Sequence, residues 1–268
     1  MLKEIKLPNY LFPFQVESLV RVGNNFDGSY LIDKDSVLNS ELLISIGVGW
    51  SFDFEKNFLE INNVPLIAFD GSAGIVATLK KIKFRTIQTI KKKEKKYFLD
   101  SIYYFSYIFR FYFFFKNFRN IRLNKNYRKF VKKFVGPEEG EISISQILKK
   151  FDSENKFNKV FFQIDIEGGE YVILQDLIDH QHMISGLVIE FHDIHQHLNK
   201  IKEFIDSLNL NLIHTHINNV GGTTPEGSPK VIELTFANCK VFKKVDKLPH
   251  NLDQPNSSEH FEYIAYLN

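Results

Sequence analysis

Cysteine is almost absent from this sequence, and its scarcity bounds the chemistry. One cysteine, Cys239, occurs among 268 residues. A single thiol excludes an internal disulfide framework and a zinc site built from several cysteines. We therefore expect a reducing, cytoplasmic compartment. The first fourteen residues also lack the apolar core and the cleavage site of a secretory signal, so we expect no cleaved leader.

A strong charge of either sign is also missing. Lys and Arg total 34 against 32 Asp and Glu, which leaves a formal net charge of +2. This near balance argues against wholesale nucleic-acid binding, and we expect no nucleic-acid partner. Long aliphatic runs are missing too. The most apolar stretch, residues 98–115, is rich in Phe and Tyr, and it includes Asp100 and Arg110, whose charges argue against a membrane span.

The residues that are present are those of a globular protein. Hydrophobic residues make up 44% of the chain and charged residues 25%, and the 27 Phe and 11 Tyr can build a large apolar core. We expect residues 1–268 to form a single domain, because this length is sufficient for one large domain with an insertion.

Apolar runs alternate with helical patterns along most of the chain. The continuous apolar run over residues 42–46 predicts a buried strand, and the spacing over residues 52–61 predicts a helix. A second buried strand is predicted to end at Asp70. The alternation resumes later, with strands over 159–165, 186–191, 211–217 and 230–237 and helices over 170–180 and 196–208. This order predicts an α/β fold with a mostly parallel sheet and an antiparallel strand at its C-terminal end.

Two segments lie outside that alternation. Near the N-terminus, Asp27 and Gly28 form a turn signal between two apolar runs, which predicts a β-hairpin. Residues 80–133 combine a basic run at 91–96 with the aromatic stretch, and we interpret them as one or two inserted helices. The insertion could be a solvated basic face packed on the core, a lid over an acceptor pocket, or a peripheral attachment to an anionic membrane.

The stretch "SIGVGWSFD" follows the first buried strand. Gly47 and Gly49 allow a sharp turn and a close approach of a ligand to the backbone. Phe52 occupies the third glycine position of the dinucleotide fingerprint, which disfavours NAD and FAD. Asp70, at the end of the next strand, lies where an acid can accept hydrogen bonds from a ribose. A turn with Asp70 as a helix cap is the structural alternative.

The stretch "FFQIDIEGGEYVIL" places three acids beside two glycines at the end of a buried strand. Glu170 lies at the start of the predicted helix, where the helix dipole favours a negative charge. Asp165 and Glu167 have no such simple structural role. Carboxylates grouped in this way repel one another and lose hydration unless a ligand or a reaction uses them.

The stretch "VIEFHDIHQH" ends a neighbouring strand. Glu190, His192 and Asp193 are expected to project towards the same rim as Asp165. His192 is a candidate general base because imidazole titrates near neutrality. The same four side chains could instead hold a hard divalent cation, and the sequence does not decide whether a metal is present. On the last parallel strand, His214 and His216 share a face, and one of them could reach the site.

Taken in order, these segments resemble the successive blocks of the FkbM-type S-adenosylmethionine-dependent methyltransferases. The quoted blocks are "LVRVGNNFDGSYLID", "LISIGVGWSFDFE", "LIAFDGS", "VFFQIDIEGGEYVIL", "LVIEFHDI" and "HINNVGG…VIELTF". "DIEGGEY" is the most specific of them, and residues 80–133 have no counterpart. The resemblance implies a Rossmann-like class I methyltransferase fold, with a mostly parallel seven-stranded sheet whose last strand is antiparallel. It also implies S-adenosylmethionine as donor and an O-methyl product on a carbohydrate.

The resemblance also implies roles for individual residues. Gly47 and Gly49 match the loop under the methionine and ribose of the cofactor, and Asp70, with Ser72 beside it, matches the acid that holds the ribose hydroxyls. Asp27 and Gly28 match the block that closes over the cofactor. Two positions depart from the pattern: Ser45 replaces an acid, so the contact to the cofactor's amino group must come from elsewhere, and Ser29 replaces a glycine.

The acceptor side follows from the same resemblance. Asp165 matches the position beside the transferred methyl group, and Asp165, Glu167 or His192 could remove the proton from a sugar hydroxyl. A divalent metal could instead lower the pKa of that hydroxyl. The resemblance implies a sugar or surface glycan as the acceptor. The abundance of Lys, Asn, Ile and Phe is typical of an AT-rich genome, so we expect a bacterial source. The enzyme would be cytoplasmic, with a peripheral contact to the inner face of the membrane left open.

Two other function classes fit parts of the sequence. A non-catalytic nucleotide-fold module could bind membrane or RNA through the insertion over 80–133. In that case substitution of Asp165 would leave function intact, whereas substitution of the basic run from Lys91 to Lys96 would abolish it. An NAD-dependent oxidoreductase is disfavoured by Phe52.

Overall fold

The computed structural model describes residues 2–24, 27–92, 95–115, 127–155 and 157–267. The strands are β1 (Leu2–Glu4), β2 (Leu19–Val22), β3 (Tyr30–Asp33), β4 (Leu42–Ile46), β5 (Leu66–Phe69), β6 (Arg128–Val131), β7 (Val160–Ile164), β8 (Ile184–Phe191), β9 (Asn211–Ile217), β10 (Ile232–Ala237), β11 (Lys247–Leu248) and β12 (Glu262–Tyr266). The α-helices are α1 (Lys34–Leu38), α2 (Asp53–Ile61), α3 (Ile75–Lys92), α4 (Lys95–Phe114), α5 (Ile144–Asn155), α6 (Leu174–Asp179) and α7 (Ile194–Ser207).

The centre of the molecule is a seven-stranded sheet in the order β6-β5-β4-β7-β8-β10-β9. Neighbouring strands from β6 to β8 are parallel, while β10 runs antiparallel to both β8 and β9. The expected Rossmann-like sheet, with its antiparallel last strand and C-terminal hairpin, is therefore confirmed. The direction of the strand order reverses between β4 and β7, and ligands of such sheets bind beside that reversal.

The inner strands are buried on both faces because their side chains alternate between two cores. Leu42 and Ile44 of β4 join one apolar cluster, and Leu43 joins the other. On β7, Phe162 and Phe161 divide in the same way. Each such side chain contributes roughly 2 kcal/mol through burial, which is why a short apolar run was sufficient to predict these strands.

The N-terminal β-hairpin is present as predicted, since β2 and β3 pair antiparallel. A second small sheet was not predicted. In it β1 pairs parallel with β12, and β11 pairs antiparallel with the other part of β12. The helix expected over 170–180 is divided into a 3-10 turn at Glu170–Val172 and α6.

The insertion expected over 80–133 has different bounds. α3 and α4 form a helical hairpin that begins at Ile75, whereas residues 128–131 form β6, the edge strand of the main sheet. β6 was not predicted because it begins with two basic residues, Arg128 and Lys129, which are typical of an exposed segment. Arg128 is buried because its guanidinium donates to the Val64 carbonyl at 3.0 Å and to Asn63 Oδ1 at 2.6 Å. Residues 93–94 of the basic run and residues 116–126 of the insertion lie outside the described residues.

None of the described helices has the length and apolar character needed to cross a membrane.

Candidate functional site

A cavity of about 650 Å³ opens at the carboxyl ends of β4, β5 and β7. Its wall includes residues 47–51 after β4, residues 70–72 after β5 and residues 165–167 after β7. Gly28 and Asp27 of the β-hairpin turn line it as well. The structure thus brings together all the predicted cofactor residues at the reversal of strand order.

The lining of this cavity is strongly acidic. Among the described lining residues Lys133 is the only cationic one, and eight are acids: Asp27, Asp53, Glu55, Asp70, Glu138, Glu141, Asp165 and Glu167. Coulomb attraction therefore favours a ligand with positive charge. A pyrophosphate would be repelled by these carboxylates, and Lys133 is the only described cation of the lining that could pair with it.

The two glycines after β4 serve different purposes. Gly47 has φ +86°, and a Cβ there would lie 1.5 Å from the carbonyl oxygen of Asp165. Its amide donates to the Phe69 carbonyl at 2.8 Å, so the turn is clamped between β5 and β7. Gly49 has φ +59° with open space beside it, and its amide donates to Asp70 Oδ2 at 2.8 Å. Close packing requires a glycine at position 47, whereas only the backbone conformation favours one at position 49.

Asp70 organises the loop after β5. Its Oδ1 accepts hydrogen bonds from the Ser72 amide at 2.7 Å, the Ser72 hydroxyl at 2.8 Å and the Ala73 amide at 2.7 Å. Its Oδ2 accepts from Gly49 alone among the described residues, which leaves acceptor capacity on the cavity side. Asp70 therefore combines the turn-forming role with a position suited to a ribose.

Glu55 is a site residue that the sequence interpretation missed. It lies on α2, is 2% exposed, and its carboxylate accepts a hydrogen bond from the buried Ser45 hydroxyl, which also contacts Gln163. Burial raises the pKa of Glu55 to about 7, and the hydrogen bond from Ser45 opposes that rise. Ser45 of β4, which occupies a position where an acid was expected, thus donates a hydrogen bond to an acid from α2, Glu55. A polar residue inside an otherwise apolar strand was the available signal.

A second group of side chains adjoins the cavity around His192. Its Nδ1 lies 2.9 Å from Oε1 of Glu170, whose side chain is completely buried and also accepts from the Gly168 amide at 3.1 Å. Its Nε2 faces Glu167 at 3.5 Å, Glu190 at 3.7 Å and Asp165 at 3.9 Å. Glu170 therefore does more than place a negative charge at a helix start, because its carboxylate also holds the imidazole of His192.

The pKa values of three side chains in this group, Asp165, Glu190 and His192, are raised above their usual values. Burial raises the pKa of Asp165 to about 7, with the His192 charge opposing and the neighbouring carboxylates reinforcing the rise. Burial also raises the pKa of Glu190 well above its usual range. Burial lowers the pKa of His192, but the hydrogen bond and the negative charge of Glu170 outweigh it, so this pKa is raised overall.

Asp165, Glu190 and His192 have the geometry of a set of metal ligands. One donor atom from each lies within 4.8 Å of the others. The Asn218 amide donates to Glu190 Oε1 at 2.9 Å, and Asp165 Oδ1 is buried without a hydrogen-bond partner among the described residues. Two carboxylates and an imidazole with outer hydrogen bonds suit a divalent cation. Asp193, the residue before α7, has φ 48° and is not one of these three ligands.

Two backbone positions beside this group adopt a costly conformation. Glu167 and Asp193 are the described non-glycine residues with positive φ, at 53° and 48°. Such conformations cost about 1 kcal/mol each and concentrate at functional sites. The side chain of Glu167 is 85% exposed, so it lies at the cavity rim.

The other predicted histidines belong to a separate buried network. His214 contacts Asp253 at 3.0 Å, and His216 lies 3.3 Å from Glu233 and 3.4 Å from Glu262. Neither histidine lines the cavity. The network reaches the cavity indirectly, since the side chain of Asn256 donates to Glu233 at 2.7 Å and to Asp27 at 3.1 Å.

No protein-family model and no curated protein matches the chain. Among solved structures, it is similar to the Pyrococcus abyssi tRNA (uracil-54, C5)-methyltransferase in complex with S-adenosyl-L-homocysteine, with 10% identity, a TM-score of 0.34, and coverage of 82% of this chain and 45% of that one. It is also similar to the precorrin-6y C5,15-methyltransferase of Geobacter metallireducens, with 12% identity, a TM-score of 0.38, and coverage of 77% and 86%.

A third similar structure is an S-adenosylmethionine-dependent methyltransferase of Agrobacterium tumefaciens, with 6% identity, a TM-score of 0.33, and coverage of 83% of this chain and 71% of that one. All three are methyltransferases by name. The chain spans less than half of the tRNA methyltransferase. Likenesses this remote carry no conclusion about the reaction, and the fold of this chain is defined by its own strand order.

Proposed function

We propose that the protein is an S-adenosylmethionine-dependent O-methyltransferase that acts on a hydroxyl of a sugar or glycan. The acid-lined cavity beside the strand-order reversal is the observation that carries this proposal. When bound, S-adenosylmethionine supplies an electrophilic methyl group on a positively charged sulfonium. A cationic ligand suits a wall with eight acids and one lysine, whereas NAD does not.

The residues of the cavity fit the parts of this cofactor. Asp70 Oδ2, with its free acceptor capacity, binds the ribose hydroxyls. The backbone at Gly47 and Gly49 allows close approach below the methionine portion. Glu55, buried in the cavity wall, binds the α-ammonium group and so supplies the contact that Ser45 cannot make.

Proton removal from the acceptor hydroxyl is assigned to Asp165. It lines the cavity, and a pKa of about 7 makes its carboxylate an effective base near neutrality. His192 does not line the cavity, but its Nε2 faces Asp165. We therefore assign it an indirect role, in which its charge opposes the rise in the pKa of the Asp165 carboxyl. Glu167 at the rim is in a position to contact the acceptor.

A divalent cation is a second way to activate the same hydroxyl. Asp165, Glu190 and His192 would hold it, with Glu170 and Asn218 fixing the ligands from behind. When bound, the cation would lower the pKa of the acceptor hydroxyl.

Calorimetric titration tests the cofactor. S-Adenosylmethionine, S-adenosylhomocysteine and NAD are titrated into the wild type, Asp70→Asn and the control Asp179→Asn, whose side chain is exposed on α6. We expect binding of the first two ligands only, weakened about tenfold to hundredfold by Asp70→Asn and unchanged in the control. Failure of folded wild-type protein to bind either adenosyl ligand would refute the methyltransferase proposal.

The acceptor is tested separately with methyl-labelled S-adenosylmethionine. Nucleotide-activated sugars and bacterial polysaccharides are compared with transfer RNA as acceptors, and mass spectrometry locates the methyl group. A methyl ether on a sugar supports the proposed acceptor class. Label on RNA, or on carbon or nitrogen, would contradict it while leaving the methyltransferase activity in place.

A further inference from the structure

The helical hairpin of α3 and α4 exposes far more apolar surface than the rest of the molecule. Of the 22 large hydrophobic side chains that are exposed in the described residues, 14 lie on these two helices. They are Ile75, Val76, Leu79, Phe84, Ile87, Ile90, Phe98, Leu99, Ile102, Tyr103, Phe105, Phe109, Tyr112 and Phe113. An exposed apolar patch of this extent marks a surface that interacts with a protein, a membrane or a ligand.

Six of the exposed side chains of α4 form one continuous face. Tyr107 and Phe111 are the buried residues of this helix, and they point into the core. On the opposite side, an outer stripe recurs every three or four residues and covers about 22 Å of helix. This outer stripe consists of Phe98, Ile102, Phe105, Phe109, Tyr112 and Phe113, all of them about half exposed or more.

The charge of the helical hairpin is equally one-sided. Its described residues include nine Lys and Arg against one acid, Asp100, and that acid is paired with Arg85 at 3.4 Å. The rest of the sequence holds 25 basic against 31 acidic residues. Four exposed lysines, Lys91, Lys92, Lys95 and Lys96, cluster at the tip. The near-neutral net charge of the chain therefore conceals a strongly basic element.

The helical hairpin is joined to the cavity wall. The Tyr107 hydroxyl donates to the Gly49 carbonyl at 3.3 Å, and the Tyr103 hydroxyl donates to the Trp50 carbonyl at 3.2 Å. The ammonium of Lys81 lies 3.2 Å from the centre of the Trp50 ring. Whatever binds the outer stripe is thus held beside the cavity.

We propose that the helical hairpin docks on the surface of an anionic lipid membrane. Aromatic side chains partition to the boundary between headgroups and acyl chains, and clustered lysines are attracted to anionic headgroups. Both chemistries occur together on this element and face away from the core. A second copy of the chain is a poorer occupant, because two hairpins with eight excess positive charges each would repel. The proposal is independent of the methyltransferase assignment.

Vesicle co-sedimentation with the full chain tests the docking. Wild-type protein is mixed with phosphatidylcholine vesicles that contain or lack phosphatidylglycerol. We expect about tenfold stronger binding to the anionic vesicles, reduced by salt. The Lys91→Glu, Lys92→Glu, Lys95→Glu, Lys96→Glu variant should lose this preference. Wild-type protein that stays in the supernatant with anionic vesicles would overturn the proposal.

The apolar contribution is tested with matched aromatic pairs. Phe105→Ser with Phe109→Ser removes the middle of the outer stripe, and Phe242→Ser with Phe261→Ser removes two aromatics of similar exposure elsewhere. The first pair should weaken vesicle binding about tenfold and the second should leave it unchanged. Equal losses in both pairs would overturn the proposal. So would light scattering that shows a dimer broken by the first pair together with no vesicle binding. Circular dichroism checks that all variants are folded.

Discussion

The Nδ1 atom of His192 lies 2.9 Å from a carboxylate oxygen of Glu170, whose side chain has no exposed surface. The carboxylate accepts a hydrogen bond from the Nδ1–H group, and this orientation of the ring directs Nε2 towards Asp165, Glu167 and Glu190. A buried acid thus sets the orientation of the imidazole, which in turn faces the carboxylate that lines the cavity.

Glu170→Gln should lower the turnover number for methyl transfer by about tenfold to hundredfold, because the amide holds the imidazole less firmly and carries no charge. Cofactor affinity should change little, since Glu170 does not line the cavity. Steady-state kinetics and calorimetry on the same preparations measure both quantities. Glu203→Gln, an exposed site on α7, is the matched control. A double-mutant cycle with His192→Gln should be strongly non-additive, and additive losses would contradict a positioning role.

Glu55 should make the stability of the cofactor-free protein depend on pH. Its pKa is raised from 4.5 to about 7, so the folded state holds a proton that the unfolded state releases between these values. Its contribution is therefore fully present below about pH 4.5 and is lost as the pH rises through about 7, which lowers the free energy of unfolding by about 1 to 3 kcal/mol. Urea unfolding of Glu55→Gln should show a shallower decline with pH than the wild type, because burial also raises the pKa values of Asp165 and Glu190 and their contributions remain. Glu60→Gln, exposed on the same helix, should keep the wild-type slope.

The same substitution should reveal which part of the cofactor Glu55 contacts. Glu55→Gln should weaken S-adenosylmethionine binding about tenfold to hundredfold, because a charged hydrogen bond is lost. Methylthioadenosine lacks the amino-acid portion, so its affinity should not change. Calorimetry with both ligands measures the difference. Equal losses for the two ligands would show that Glu55 acts through the shape of the cavity.

Alanine substitutions should separate the two glycines after β4. Gly47→Ala places a methyl group 1.5 Å from the Asp165 carbonyl, so the strand ends must move apart. We expect a loss of more than about 3 kcal/mol or no folded protein. Gly49→Ala meets open space and should cost only about 1 kcal/mol, from its φ of +59°. Denaturant midpoints compare the two, and similar losses would contradict this assignment.

Chelation tests the group formed by Asp165, Glu190 and His192. Protein purified in EDTA and then titrated with Mg²⁺ or Mn²⁺ should recover activity, and calorimetry should detect one site. Glu190→Gln should weaken that site about tenfold or more, whereas Glu262→Gln, in the neighbouring histidine network, should not. Full activity in protein shown by elemental analysis to be metal-free would leave Asp165 as the base without a cation.

Local sequence patterns predicted the core of the sheet and the place of the cavity. Strands β4 and β7 were recognised because residues buried on both faces must be continuously apolar. Asp165 and Asp70 were placed at strand ends, and parallel strands bring such ends to one edge. β6 was missed because Arg128 signals exposure, and its burial depends on partners at Val64 and Asn63 that are distant in sequence.

The sequence by itself determined the alternation of strands and helices, the two glycines and the acidic strand end, because each depends on neighbours within a few residues. Only the tertiary structure decided that Glu55 faces Ser45 and that Glu170 holds His192. These pairs are 10 and 22 residues apart, on different elements, and each depends on how a helix or turn packs against the sheet. The outer stripe also required the fold, since aromatic residues on α4 could be assigned to the core or to the surface only when their partners were known.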